Sequence, residues 1–253
     1  ATTVPSIPAA LIEPKDGRYC VDETIFELTT GQLDVDGDST QPWTMHTSSE
    51  SEWVSALEKN IHCRIKDIAK VRVGIKTTAD KVFIPKDWSV VPTDIRPEPH
   101  YLRPLLSQRN AAKWCPISDE DKQLHVLYTH EIRNSKRQTI QFPSDSSAWR
   151  YLLNNRDRLE SRKYVINAGR QWYEIWVPQD PAAWKLPKVV FPDISPDAQF
   201  FFDGDGRTVD GNCYWITTND PDDEDLLMLI LGVANSSTMA RYHELCYQNR
   251  LYA

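Results

Sequence analysis

The sequence predicts an α+β fold: an irregular, β-rich body followed by a C-terminal helical hairpin. Three observations predict it. Short β-branched and aromatic runs recur from residue 65 to about residue 218. Prolines at 85, 92, 97, 99, 104, 116 and 143 exclude long regular elements from the middle of the chain. Near the end, an apolar run over residues 226–234 opens behind the acidic stretch Asp222-Asp223-Glu224-Asp225, an arrangement that the helix macrodipole favours. With 253 residues, 40% hydrophobic and 10% aromatic, the chain can bury a core and is not compositionally disordered.

Taken in order, residues 1–48 are rich in Thr, Ser, Asp and Pro and hold one strand-like piece over residues 19–28. We expect them to form a linker or edge segment, and residues 49–253 to form one domain. The acidic stretch 34–40 fails the calcium-loop pattern, because Ser39 stands at the glycine position and Met45 at the bidentate glutamate position. It reads as a surface turn, as does the DGDG stretch at 203–206. Ser49 with Glu52 has capping-box spacing, and Trp53, Leu57 and Ile61 follow at steps of four, which predicts a helix that docks this segment on the main body. Residues 71–85 read as two short strands around a loop, broken at Gly74 and closed by Pro85. Further strands are expected at 124–129 and 139–142.

A helix is predicted over 146–162, with Trp149, Leu152, Leu153 and Leu159 on one face and Arg150, Arg156, Arg158 and Arg162 mostly off it. Aromatic strand-like pieces follow at 172–177, 188–191, 199–202 and 213–217. Pro221 and the acidic run then start a buried helix, Asn235-Ser236-Ser237 breaks it, and a second helix runs to residue 252.

Several classes of function are disfavoured. There is no phosphate-binding or dinucleotide glycine loop, no H-E-x-x-H and no G-x-S-x-G. Pro192-Asp193 is not followed by the E-x-K or D-x-K of a nuclease, and the six histidines show no metal-ligand spacing. Five scattered cysteines without a C-x-x-C pair argue against zinc and against a disulfide framework. The longest apolar run, 226–234, is short of the roughly 20 residues of a spanning helix. No secretory signal is visible. We expect a cytoplasmic, non-catalytic binding module without a cofactor of its own; only nine glycines in the chain point the same way.

The net charge of −7 disfavours a nucleic-acid partner until it is divided along the chain. Residues 61–170 carry 21 Lys+Arg against 12 Asp+Glu, a net of +9, while residues 1–60 and 171–253 each net −8. A basic centre between acidic flanks suits a surface that faces phosphate; it also suits a solvated face or an acidic protein partner.

At VRVGIKTTADKVFIP the chain resembles the TaqI-like C-terminal specificity, or target recognition, domain of N6-adenine DNA methyltransferases, including the fused restriction–modification enzymes of bacteria. Gly74-Ile75-Lys76-Thr77 and Phe83 match the segment that opens that domain, and Thr78 stands where the family has its second glycine. Tyr101 to Asn110 with Lys113-Trp114 is similar to a second block. Tyr151-Leu152, Leu159-Glu160, Arg162, Arg170 and Trp172-Tyr173-Glu174 are similar to a third. Residues 188–192 and 231–236 are similar to two more. The likeness runs through residues 66–237.

The resemblance implies double-stranded DNA as the partner. It also implies an upstream catalytic domain in the same polypeptide, carrying an Asn-Pro-Pro-Tyr-type motif and using S-adenosylmethionine; this chain has no Pro-Pro. Within the domain we expect a β-rich body to about 218 and a hairpin over 219–253; the resemblance implies that the family continues beyond. A fused endonuclease is left open. The candidate DNA-binding residues are Lys76, Thr77, Thr78, Lys81, Arg103, Arg109, Lys113, Arg150, Arg156 and Arg162. Arg162 and Arg170 can equally serve as internal packing beside Trp172-Tyr173-Glu174, and Trp114 is expected in the core. The alternative is a protein-interaction module of a phage-defence methyltransferase complex.

Overall fold

The computed structural model describes residues 7–21, 24–34, 44–118 and 123–247, with side chains from His46 onward. Its contacts divide the chain into two compact units, Ala1–Arg64 with Ser237–Ala253, and Ile65–Ser236. The fold is α+β with irregular sheets and a C-terminal helical pair, as the sequence predicts.

In the first unit, β1 (Ile7–Val21), β2 (Thr24–Asp34) and β3 (Thr44–His46) form an antiparallel sheet in that order. Val21 faces Thr24 across the ladder, so the single strand expected over 19–28 is the end of one strand and the start of the next. Asp22-Glu23 between them carry no glycine or proline to mark the reversal in sequence. The acidic stretch 35–40 lies outside the described residues. Helix α1 (Ser48–Lys59) starts earlier than Ser49 and Glu52 suggested. Thr47 and Glu50 form the capping box: the Thr47 N–H donates to Glu50 Oε2 at 2.8 Å, and the Glu50 N–H donates to Thr47 Oγ1 at 3.4 Å. Both spacings match the motif, and the earlier one caps the helix. Its Trp53 ring lies 5.3 Å from the Arg241 guanidinium, and its Glu58 accepts from the Tyr242 hydroxyl at 3.1 Å.

The second unit opens with α2 (Ile65–Ile68) and β4 (Ala69–Val73). The second strand expected in 71–85 is a helical turn, α3 (Asp80–Phe83). The Thr77 hydroxyl accepts from the Ala79 N–H at 3.1 Å and donates to Asp80, turning the chain, while Val82 and Phe83 are fully buried. Strand β5 (Leu102–Leu106) lies in the stretch read as turns. β6 (Leu124–Leu127) is where a strand is expected. The strand expected at 139–142 is replaced by a hairpin, β7 (His130–Arg133) and β8 (Lys136–Thr139). Its two-residue turn, Asn134-Ser135, has φ of 53 and 57°, the left-handed pair that matches strand twist.

The helix predicted over 146–162 is three shorter pieces: α4 (Ser147–Asn154), α5 (Arg156–Glu160) and α6 (Lys163–Asn167). Ser146 caps the first as expected, accepting from the Trp149 N–H at 3.1 Å. Asn155, at φ −106 and ψ 12°, ends it. Leu153, placed on the apolar face from sequence, is exposed.

The main sheet has the order β10–β9–β12–β4 and is antiparallel throughout, with β9 (Lys188–Pro192), β10 (Phe201–Asp203) and β12 (Cys213–Thr218). β11 (Thr208–Val209) runs parallel to β5, which pairs with β6. Successive strand residues face opposite sides, and here both sides are buried. Val190 and Trp215 belong to the larger core with Ile75, Phe83, Leu105, Leu127, Leu152 and Trp184. Val189 and Ile216 face a second cluster with Leu227, Ile230 and Leu231 of α7 (Glu224–Ala234). This two-sided burial explains why the runs read as continuously apolar. Asp223 caps α7, and Pro221 precedes it rather than opening it. Only one stripe of α7 is buried: Met228, Leu229 and Val233 are exposed. Asn235 caps its C-terminus and α8 (Ser237–Cys246) follows; residues 248–252 lie outside the described residues.

Lys188 is fully buried. Its ammonium donates to Asp203 Oδ2 at 2.9 Å and to the Trp184 carbonyl at 2.8 Å, and Arg207 donates to the other Asp203 oxygen at 2.7 Å. Burial pulls the Lys188 pKa down and the Asp203 charge opposes that pull. Every charged atom therefore has a partner, which such a buried site requires. Of the described cysteines, Cys63, Cys115, Cys213 and Cys246 are free.

Candidate functional site

The site begins where two chain segments cross at backbone contact. After β4, the Gly74 N–H donates to the Cys213 carbonyl at 2.8 Å and the Ile75 N–H to the Val209 carbonyl at 2.7 Å. A methyl group on Gly74 would lie 2.0 Å from the Asp210 carbonyl oxygen, so only glycine fits. Gly211 answers from the other side: a Cβ there would sit 2.6 Å from the Ile75 carbonyl oxygen. The crossing fixes the start of the loop that carries Lys76, Thr77, Thr78 and Lys81.

That loop is held at several points. Lys76 and Val177 exchange backbone hydrogen bonds at 3.0 Å in both directions, while the Lys76 side chain is exposed. Thr77 is buried, and the Thr78 hydroxyl donates to its carbonyl at 2.5 Å. Thr78 adopts φ 59°, a left-handed conformation that is costly for a β-branched residue. Threonine accepts here the backbone geometry for which glycine is better suited.

Arg162 clamps the loop from behind. It is 5% exposed, and its guanidinium donates to four backbone carbonyls: Leu159 at 3.1 Å, Thr77 at 2.9 Å, Glu174 at 3.0 Å and Trp172 at 2.5 Å. Burial lowers its pKa, and the Glu174 and Tyr164 side chains oppose the shift. The Glu174 carboxylate faces His130 instead, at 3.5 Å. Arg170 stacks on Trp176 at 4.6 Å.

Beside the loop lies an open cleft of about 680 Å³. Three cations line it (Lys81, Lys86 and Arg109), together with two carboxylates (Asp80 and Asp210) and two amides (Gln108 and Asn212). Arg109 sits in a short 3₁₀ turn (Gln108–Asn110) capped by Ser107, whose hydroxyl accepts from the Arg109 N–H at 3.3 Å. Among the described residues, the side chains of Lys76, Lys81, Lys86 and Arg109 make no hydrogen bond or ion pair.

The remaining candidates are scattered. Arg103, on β5, lies half-buried with its guanidinium 4.2 Å from the centre of the Tyr128 ring. Arg150 donates to the carbonyls of Asp94 (3.1 and 2.9 Å) and Asp145 (2.9 Å), stitching that loop to α4. Arg156 pairs with Glu160 at 2.8 Å and lies 5.3 Å from the Trp172 ring. Lys113 is exposed. Trp114, expected in the core, is 52% exposed.

Sequence reasoning missed Lys86 and Asp210. The charge of Lys86, five residues after Lys81 and next to Pro85, could have marked it. Asp210 gave no signal, because it lies in the acidic C-terminal flank and reaches the cleft only through the crossing at Gly74. Burial, reinforced by the Asp80 charge, pushes its carboxyl up to about 6, against the pull of the Gly211 N–H that it accepts at 2.7 Å.

This shift predicts a pH-dependent stability. The folded-state value lies above the ordinary 3.8, so the protonated form is favoured by folding. The contribution is fully present below about pH 4 and is lost as the pH rises through about 6. Asp210→Asn should therefore gain about 3 kcal/mol over the wild type at pH 8, and the difference should vanish below about pH 3. Urea midpoints measured across that range would check it; a constant difference would exclude Asp210 as the titrating group.

No group of three or more His, Cys, Asp or Glu among the described residues could hold a metal ion. No described helix is long and apolar enough to cross a membrane.

No family model matches the chain. Its sequence is similar to curated type II methyltransferases. It is 44% identical, over 93% of its length, to part of the type II methyltransferase M.BanIII of Aneurinibacillus aneurinilyticus. It is 24% identical over 80% of its length to M.PaeR7I of Pseudomonas aeruginosa, and 25% identical over 81% to M.XhoI of Xanthomonas vasicola, both also type II methyltransferases. The chain spans 40%, 33% and 36% of their respective lengths. It is thus homologous to a part of type II methyltransferases.

Proposed function

We propose that this chain is the double-stranded DNA recognition part of an N6-adenine-specific methyltransferase of a restriction–modification or phage-defence system. Methyl transfer, with S-adenosylmethionine, belongs to a catalytic domain elsewhere in the parent polypeptide. One observation carries the reading. Lys76, Lys81, Lys86 and Arg109 project uncommitted charge beside a cleft whose opposite chemistry, two carboxylates and two amides, is suited to base edges rather than phosphates. The likeness to type II methyltransferases supports it. In this reading the recognition surface lies in Ile65–Ser236, inside the 49–253 domain expected from sequence.

The candidates divide by role. Lys76, Lys81, Arg109 and Lys113 supply phosphate or base contacts. Thr77 and Thr78 shape the loop, and Arg162 holds it. Arg103, Arg150 and Arg156 contribute field and packing, since their guanidinium groups are engaged within the protein.

Replacing Lys76 and Arg109 together by glutamate tests the reading. Each lost phosphate contact lowers the slope of log affinity against log salt by about 0.9. The double variant should therefore lose nearly two units of slope and about a hundredfold in affinity for duplex DNA at low salt, with its melting temperature unchanged. Binding indistinguishable from wild type would remove the cleft as the recognition surface. A second reading, a protein-interaction module, is favoured by Met228, Leu229 and Val233, which α7 leaves exposed. Retention of a stable protein partner without retention of DNA at low salt would select it.

A further inference from the structure

Trp114 is anomalous in three ways. It has φ 78°, a conformation that bulky residues avoid. It is 52% exposed. Among the described residues its ring touches no other ring or cation, and its indole N–H donates to nothing. Every other described tryptophan has such a partner: Trp53 has Arg241, Trp88 has Tyr151, Trp149 has Trp172, Trp176 has Tyr164, and Trp184 has Trp215.

The strained backbone is held firmly. The Trp114 N–H donates to the Phe200 carbonyl at 2.9 Å, and the Phe202 N–H donates to the Trp114 carbonyl at 3.0 Å, in a bridge opposite the fully buried Phe201. The loop closes on itself between Asn110 and Ile117: the Ile117 N–H donates to the Asn110 carbonyl at 2.9 Å, and the Asn110 amide donates to the Ile117 carbonyl at 3.0 Å. That mouth lies one residue after Arg109, which lines the cleft. A rigid mount therefore displays an aromatic ring, next to exposed Lys113, where the fold has no use for it. Strain at a well-determined position is a pointer to function.

We infer that Trp114 is a stacking residue that packs its indole on a DNA base made accessible at the recognition site. The inference rests on the DNA-recognition reading above. A ring next in sequence to exposed Lys113, on a loop that Arg109 precedes, suits a ligand that offers both a π-face and negative charge. Stacking of an uncharged indole on a base neutralises no phosphate, so Trp114 should contribute affinity without counterion release.

The test uses the 253-residue chain, a short duplex of arbitrary sequence, and the same duplex with one unpaired adenine. The wild type should bind the second about tenfold more tightly. Trp114→Ala should lose that preference, Trp114→Phe should keep most of it, and the salt slope should be the same in all three. Trp114→Gly removes the backbone strain and should fold at least as well as wild type while also losing the preference, so misfolding of the alanine variant would not obscure the answer. The inference is overturned alone if the wild type binds both duplexes equally, or if Trp114→Gly retains the preference while Lys76→Glu with Arg109→Glu still weakens both. A wild type that binds neither duplex at low salt overturns the DNA reading and this inference with it. Loss of self-association instead of DNA preference in Trp114→Gly assigns the ring to a protein surface.

Discussion

Gly74→Ala should be the most damaging single-methyl change in the second unit, costing about 4 kcal/mol or preventing folding outright. The added Cβ would meet the Asp210 carbonyl oxygen at 2.0 Å, its carbon at 2.4 Å and the Val209 carbonyl oxygen at 2.5 Å. All three are backbone atoms, so no rotamer change relieves the overlap. The segments must part, and three linked hydrogen bonds go with them: Gly74 to Cys213, Ile75 to Val209, and Asp210 to Leu106. Ile75, fully buried in the main core, is pulled from its place. Gly232→Ala is the internal control. It adds the same methyl group, in the last turn of α7, with nothing within 4 Å. There the helix gains about 0.5–1 kcal/mol, because glycine loses more backbone entropy on folding. Urea midpoints should move in opposite directions for the two variants. A mild effect at Gly74 would mean that the crossing is looser than its geometry.

Local features of this fold are legible in the sequence because local chemistry fixes them. Ser146 announces α4, Asp223 and the acids beside it announce α7, and the apolar runs at β9 and β12 announce buried strands. The errors arise where two local signals compete or where the decisive partner is distant. Thr47/Glu50 and Ser49/Glu52 both fit a capping box, and sequence offers no means of choosing. Val82 and Phe83 suit a strand by propensity, but Thr77 turns the chain into α3 first. The β7–β8 hairpin carried a readable Asn-Ser turn that the surrounding charges obscured.

The candidate site was legible only in part. Lys76, Lys81 and Arg109 stood out as charges in a basic region. Their convergence depends on Gly74 meeting Asp210, more than a hundred residues away in sequence. The charge profile misled in one respect: a basic centre and an acidic flank in sequence are not separate in space, since Asp210 lines the same cleft as Arg109. The loop shows why a family pattern departs quietly. Thr78 stands at a position whose φ of 59° suits glycine, and the loop keeps that conformation. Arg162 holds the Thr77 carbonyl just before it.

Arg162→Leu should lower stability by about 3–5 kcal/mol, although it removes no side-chain ion pair. Four carbonyl oxygens, from Leu159, Thr77, Glu174 and Trp172, lose the donor that gathers them. Each buried acceptor left without a partner costs about 1–3 kcal/mol, reduced where water or a small backbone shift can reach it. The guanidinium also packs 5.3 Å from the Phe83 ring, a contact that leucine only partly replaces. Arg162→Lys separates charge from geometry. Lysine keeps the positive charge, but its single ammonium cannot span four acceptors fixed around a planar fork. It should still lose more than about 2 kcal/mol by the same argument. A DNA-contacting arginine behaves differently: its replacement leaves the urea midpoint in place and lowers the salt slope of binding by about one unit. Measuring stability and salt slope on both variants therefore decides which role Arg162 plays. With the clamp removed, the Lys76–Lys81 loop should fray first. At temperatures where Arg162→Leu is still folded, amide exchange at Thr78 and Ala79 should rise before exchange in β9 or β12 does.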